Sequence, residues 1–147
     1  MCIRDRFTTP WASGETPPES SLPAQVAWKA SALFGPEVQD AYHEALLDAY
    51  FTKNRNIADW TILVDIAEQV GIDRAEFTAR LEENKQHFAS WVIDEHNSAI
   101  RDGITAVPTV VIGDVFPVPG AQDAETYIRL VERFIERREQ ILSLIHI

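Results

Sequence analysis

The chain has 147 residues, of which 46% are hydrophobic, and a formal net charge of −10. These values fit one globular domain or part of one, and the acidity disfavours nucleic acids and anionic membranes as partners. No apolar run approaches the ~20 residues that cross a bilayer, so we expect no membrane span. We expect a cytoplasmic location; the absence of a visible signal peptide does not bear on it, because the natural N-terminus is expected to be missing.

Both termini resemble sequencing adaptors rather than natural protein. One inverted DNA sequence, similar to the transposase ends used to fragment DNA, can encode both MCIRDR at residues 1–6 and LSLIHI at residues 142–147. We therefore expect adaptor-like scars at both ends, with the natural reading frame cut at each. The only cysteine, Cys2, lies in the first scar, so cysteine usage does not indicate a compartment.

A loop and then a helical region follow the first scar. Residues 7–23 are rich in Pro, Ser, Thr and Gly and are predicted to form a loop. Apolar periodicity bounded by proline and glycine predicts a helical domain over residues 24–102. Asp73, with Glu76 three residues later, has the spacing of a capping box. The five predicted helices cover residues 24–34, 36–51, about 58–70, 73–84 and about 86–102.

After Gly103 the periodicity becomes that of strands. Thr109–Ile112 is continuously apolar or β-branched, which is typical of a strand covered on both faces. Gly113-Asp114 is a plausible hairpin turn. Pro117 confines the next strand, Val115–Val118, to a sheet edge. A final helix is predicted to have Asp123 as its N-cap and to turn inward the side chains of Tyr127, Leu130, Val131 and Phe134.

Two strands and one helix make a marginal sheet. The first strand should pair on its other edge, yet the sequence between Phe7 and Ile104 contains no further convincing strand. We therefore expect the partner strand to be missing from this chain. An open apolar edge favours association, so self-association through this strand is predicted.

A proline, Pro108, stands at the start of the most hydrophobic strand, where it can donate nothing to a sheet. Three stretches of the chain are together similar to DsbA-family oxidoreductases, especially the FrnE-like branch of dithiol–disulfide isomerases. They are GITAVPTVVI at residues 103–112, PGAQ at 119–122 and the helical stretch around RNI at 55–57. The resemblance covers about residues 18–138. It implies an incomplete α/β, thioredoxin-like fold, in which a helical insertion domain precedes a C-terminal ββα half at residues 103–141 that starts with a cis X-Pro bond.

The resemblance also implies a substrate-binding segment. Pro108 matches the family's cis-proline, Val107 the residue whose main chain faces the disulfide, and Thr109 the first strand residue, while Ala106 stands where many relatives have glycine. The expected substrates of the parent protein are protein thiols and disulfides or a small thiol, with no cofactor. The catalytic C-x-x-C lies on a helix that this chain does not contain, so no catalytic residue is expected here. Exchange needs a low-pKa thiolate, so the chain itself should be inactive.

Two alternatives stay open. Glutathione-dependent 2-hydroxychromene-2-carboxylate isomerases share the fold and the X-Pro strand start, but they carry serine in place of the first cysteine. A non-catalytic thioredoxin-like adaptor would bind a protein without turnover. The residue at that first position, which lies in the missing helix, would discriminate the three functions.

Two other groups of residues are interpreted as structural. His87 and His96 lie nine residues apart, which does not match the i, i+4 spacing of a helical metal site, so we expect surface histidines and no metal. The aromatic stripe could line a peptide groove in the parent but is more typical of a helical core. Its members are Trp28, Phe34, Tyr42, Tyr50 and Phe51.

Overall fold

The structure is a computed structural model that describes residues 9, 11 and 14–145, with side chains up to residue 141. A 3-10 turn, Ala32–Phe34, extends the first helix, and a π-helical turn, Asp48–Thr52, extends the second. Two compact units divide within α4, one of residues up to Asp94 and one of residues from Glu95. The described elements are α1 (Leu22–Ser31), α2 (Pro36–Leu47), α3 (Trp60–Gln69), α4 (Arg74–Arg101), β1 (Thr109–Ile112), β2 (Phe116–Pro119) and α5 (Ala124–Ile145).

Aspartate side chains cap the starts of three helices. Asp59 precedes α3, Asp73 precedes α4 and Asp123 precedes α5, and each carboxylate accepts a hydrogen bond from a main-chain N–H two or three residues later, at 2.8, 2.8 and 2.7 Å. These bonds satisfy N–H groups that a helix start leaves without an intrahelical acceptor. The prediction of Asp73 and Asp123 as caps is confirmed.

The fourth helix is longer than predicted. Arg74–Arg101 is one helix of 28 residues, so the prediction of separate helices over 73–84 and 86–102 is wrong. No glycine or proline interrupts this stretch. The side-chain amide of Asn84 donates to the carbonyl of Arg80 within the same helix, at 2.9 Å, instead of starting a new one. The apolar patterns of residues 73–84 and 86–102 therefore belong to one continuous helix.

The core of the first unit joins its helices through aromatic side chains. Tyr42 of α2 and Phe77 of α4 are fully buried, and their ring centroids lie 5.7 Å apart. The Tyr42 hydroxyl donates to the carbonyl of Leu63 in α3, at 2.9 Å. Burial raises the pKa of Tyr42 above its ordinary value, because the phenolate would be poorly solvated.

The core interpretation of the aromatic stripe is confirmed for all but one member. Tyr42 is fully buried, and Trp28, Phe34 and Tyr50 pack against the core cluster. Phe51 is 42% exposed, so its assignment to the core is wrong. It lies in the π-helical turn, which changes the helical periodicity on which the predicted stripe depends.

The second unit contains an antiparallel hairpin followed by α5. Thr109 pairs with Pro119 and Ile112 pairs with Phe116. Gly113 and Asp114 both have positive φ, 60° and 61°, and Val115 completes the loop, so β2 starts and ends one residue later than predicted.

The hairpin loop approaches α5 so closely that no side chain fits at Gly113. A Cβ placed there would lie 2.5 Å from Cε1 and 2.9 Å from Cε2 of Phe134. Of the α5 side chains predicted to face inward, Tyr127, Leu130 and Phe134 are half-buried. Val131 is 42% exposed, so its prediction is wrong. Its helical neighbours Ile128 and Ile135 are exposed as well, so this side of the apolar stripe is not covered.

We predict that Gly113→Ala destabilises the hairpin more than Gly103→Ala does. Both glycines have positive φ, so each substitution costs about 1 kcal/mol of left-handed strain. A Cβ at Gly103 meets only Pro117 Cγ at an ordinary 3.8 Å, whereas at Gly113 it overlaps Phe134, which adds about 1–3 kcal/mol of overpacking. Amide hydrogen exchange of Val110 and Ile112 measures the difference. Equal exchange in the two variants would contradict the Gly113–Phe134 contact.

Candidate functional site

Residues 106–109 form an exposed turn at the start of β1. The Val107–Pro108 peptide bond is cis. Val107 is 91% exposed, Ala106 and Pro108 are exposed, and Thr109 is half-buried. The Thr109 hydroxyl donates to the carbonyl of Ala106 at 2.5 Å, which closes the turn. The structure thus places all four predicted substrate-binding residues together on the surface.

One hydrogen bond attaches this turn to the neighbouring strand. The Gly120 N–H donates to the Pro108 carbonyl at 2.8 Å, one residue pair beyond the strand ends. Directly opposite residues in an antiparallel ladder alternate between hydrogen-bonded and non-bonded pairs. The main-chain groups of Val110 and Ile112 therefore face β2, like that of Pro108, while those of Thr109 and Val111 face away from it.

The two outer edges of the hairpin differ in what they can accept. By the same alternation, Pro117 and Pro119 of β2 turn their nitrogens outward, and neither carries an N–H. The prediction that proline blunts this strand is confirmed. Within the described residues the sheet has only these two strands, so the outward N–H and C=O groups of Thr109 and Val111 form an unblocked edge. Only the β1 side can pair with another extended chain through both donors and acceptors.

The apolar side chains of β1 are less covered than predicted. Val110 and Val111 are 41% and 42% exposed, so the expectation of a strand covered on both faces is wrong for the described residues. The register places Ile112 and Val118 on one face of the hairpin, and these two are buried. A continuous apolar run does not specify which face a short hairpin buries, because that depends on the pairing register.

The chemistry of this turn is that of binding rather than proton transfer. Ala106, Val107, Pro108 and Thr109 offer main-chain groups, one hydroxyl and apolar surface, with no general base. Farther along the chain, the hydrogen bond from the Thr126 N–H lowers the carboxyl pKa of Asp123. That carboxylate caps α5, so its charge serves the helix start.

The two histidines singled out in the sequence belong to α4. His87 and His96 are exposed on α4, and the His87 ring lies 6.2 Å from that of Trp91. In the described part of the chain, no three His, Cys, Asp or Glu side chains form a potential metal site. No described helix combines the length and hydropathy needed to span a bilayer. Cys2 lies outside the described residues.

Sequence reasoning missed the contribution of Gly120 to this site. Gly120 has no role of its own in the sequence analysis, although it belongs to the PGAQ motif that supports the resemblance. The available signal was this motif at the end of β2 together with a proline at the start of β1. The Pro108 carbonyl needs a hydrogen-bond donor, and Pro108 has no N–H with which to complete an ordinary ladder pair.

The comparison with protein families agrees with this geometry. The model of the DSBA-like thioredoxin domain matches residues 15–132, and the chain belongs to this family. The expected mixed α/β, thioredoxin-like class, with helices predominating, is thereby confirmed. The chain is also 34% identical over 90 residues to the uncharacterized protein YwbO of Bacillus subtilis (strain 168). That alignment covers 61% of this chain and 44% of the relative, so it spans less than half of the relative's length.

We predict alternating amide exchange along β1. Val110 and Ile112, whose N–H groups face β2, should exchange slowly, whereas Val111, whose N–H faces the open edge, should exchange quickly. Nuclear magnetic resonance at low protein concentration measures the three rates.

The same experiment tests association through the β1 edge. Raising the protein concentration should slow exchange at Val111 if two chains pair there. Equal, strong protection of all three amides in a sample that sedimentation shows to be monomeric would contradict the open edge.

Proposed function

We propose that this chain provides the substrate-binding side of a thiol–disulfide oxidoreductase of the FrnE-like, dithiol–disulfide isomerase type. The observation that carries the proposal is the exposed Val107–Pro108 turn beside the open β1 edge, in a member of the DSBA-like family. An extended substrate would lie along this edge and pair with its main chain. Main-chain pairing at a sheet edge is a common way to bind peptides.

The type of contact supports a broad substrate class. The residues at the turn present backbone groups and the apolar side chain of Val107, which is 91% exposed. Main-chain hydrogen bonds do not depend on the substrate's sequence, so protein thiols and disulfides in varied contexts would bind alike. Small thiols with a peptide backbone would use the same groups.

The redox step itself requires groups beyond residues 106–109. In exchange, a thiolate attacks one sulfur of a disulfide, a mixed disulfide forms, and the other sulfur leaves as a thiolate. The printed sequence has one cysteine, Cys2, and a C-x-x-C pair has two. We therefore assign substrate positioning to the X-Pro turn and electron exchange to a dithiol outside the printed sequence.

Sequencing the source DNA upstream of the codon for Phe7 separates the candidate chemistries. A strand followed by C-x-x-C is the expected result. Serine at the first cysteine position would instead favour the glutathione-dependent isomerase, and neither residue would favour a binding adaptor. A cytoplasmic location belongs to the same proposal and is tested by fractionating cells that express the intact gene.

We predict that the purified chain does not accelerate the reduction of insulin by dithiothreitol, because it lacks a C-x-x-C pair. The turbidity of the precipitating insulin B chain measures the rate, and Cys2→Ser serves as the matched control. Clear acceleration that disappears in Cys2→Ser would contradict the assignment of the redox step to groups outside this chain.

We predict that an extended peptide containing S-methylcysteine, which cannot form a disulfide, shifts the amide resonances of Val107, Thr109 and Val111. Val111→Pro removes an outward N–H without removing a bond to β2, so it should weaken binding. Val107→Ala keeps the main chain and should bind comparably. Shifts elsewhere, or equal binding by the Val111→Pro variant, would contradict binding along the edge.

A further inference from the structure

The segment after β2, Gly120-Ala121-Gln122, is part of the PGAQ motif and leads into α5. Its role follows from the hydrogen bonds of the residue pair at the open end of the hairpin. Pro108 and Gly120 lie directly opposite, and Gly120 donates its N–H to the Pro108 carbonyl at 2.8 Å. In an ordinary hydrogen-bonded pair, the opposite residue returns the bond. Pro108 has no N–H, so the Gly120 carbonyl receives nothing from it.

A tyrosine on α5 provides the missing donor. The Tyr127 hydroxyl donates to the Gly120 carbonyl at 3.4 Å and accepts from the Gln122 N–H at 3.4 Å. The phenol therefore contacts the main chain at both ends of the three-residue segment. Tyr127 is half-buried, and the first turn of its helix is held by the Asp123 cap.

The side chain of Gln122 satisfies a second main-chain group in this region. Its Nε2 donates to the Pro119 carbonyl at 3.1 Å. Pro119 sits at a non-bonded position of the ladder, so this carbonyl faces away from β1. Gln122 and Tyr127 thus attach the segment to the end of β2 and hold Gly120 opposite Pro108.

We propose that Tyr127 and Gln122 are positioning residues that orient the X-Pro turn through Gly120; this role rests on the proposed function of the turn. Tyr127 replaces the donor that Pro108 lacks, and Gln122 keeps the segment closed. The Gly120 N–H then fixes the Pro108 carbonyl and, with it, the direction in which the Val107 main chain faces a substrate.

Amide exchange in the free protein tests the positioning role without a ligand. Two variants are used: Tyr127→Phe keeps the ring, and Gln122→Ala changes an exposed side chain. In each, the Gly120 amide should exchange roughly three to ten times faster, because one ordinary hydrogen bond is lost. The Thr126 amide, held by Asp123, should keep its native exchange rate. Glu132→Gln, an exposed substitution on the same helix, is the matched control. An unchanged Gly120 rate in both variants, or equal acceleration at Gly120, Val110 and Thr126, would overturn the role.

The S-methylcysteine peptide separates this inference from the proposed function. If the native chain binds the peptide, Tyr127→Phe and Gln122→Ala should weaken binding about threefold or more, because a less ordered turn must be ordered on binding. If the native chain does not bind, the proposed function fails, while the Gly120 exchange rates still show whether Tyr127 and Gln122 hold Gly120 opposite Pro108. Both variants could instead bind the peptide as tightly as the native chain although Gly120 exchanges faster. That result would mean that Tyr127 and Gln122 stabilise only the segment after β2, and it would overturn their positioning role.

Discussion

The hairpin of this protein depends on a constraint set by proline, whose nitrogen cannot donate a hydrogen bond. Three prolines lie in the hairpin region, and their positions in the ladder differ in consequence. Pro117 and Pro119 face outward and make the β2 edge a poor partner for further strands. Pro108 faces inward, where its missing N–H leaves the Gly120 carbonyl without its ladder donor. The Tyr127 hydroxyl donates to that carbonyl instead, and the β1 edge, which has no proline at Thr109 or Val111, keeps both its donors and its acceptors.

The two compact units are stabilised by different means. The helical unit has a core of its own, with Tyr42, Leu63 and Phe77 fully buried and a buried hydroxyl that joins two helices. Among the described residues of the hairpin unit, the buried hydrophobic side chains are those of Ile112 and Val118. This unit depends instead on main-chain hydrogen bonds, on the close packing of Gly113 against Phe134 and on the Asp123 cap. A small apolar core combined with an exposed turn is suited to a surface that pairs with a further extended segment.

In the proposed function, the X-Pro turn contributes orientation rather than reactivity. Residues 106–109 hold no acid, base or nucleophilic thiol, so their contribution is the direction and availability of main-chain groups. The Gly120–Pro108 and Thr109–Ala106 hydrogen bonds restrict that direction from both sides of the proline. Under the proposed thiol–disulfide function, this restriction would help to bring a substrate sulfur into line with the attacking sulfur.

The sequence by itself determined the features that depend on neighbouring residues. The caps at Asp73 and Asp123, the blunted edge at Pro117 and the location of the X-Pro turn follow from side-chain chemistry and the fixed φ of proline, which act within a few residues. The same local reasoning divided α4 into two helices, because periodicity alone does not show whether a helix continues. Only the tertiary structure decided that Gly120 lies opposite Pro108, that Phe134 covers Gly113, and that Val110 and Val111 remain partly exposed. Each of these depends on register and packing between distant residues, where many pairings compete and burial selects one.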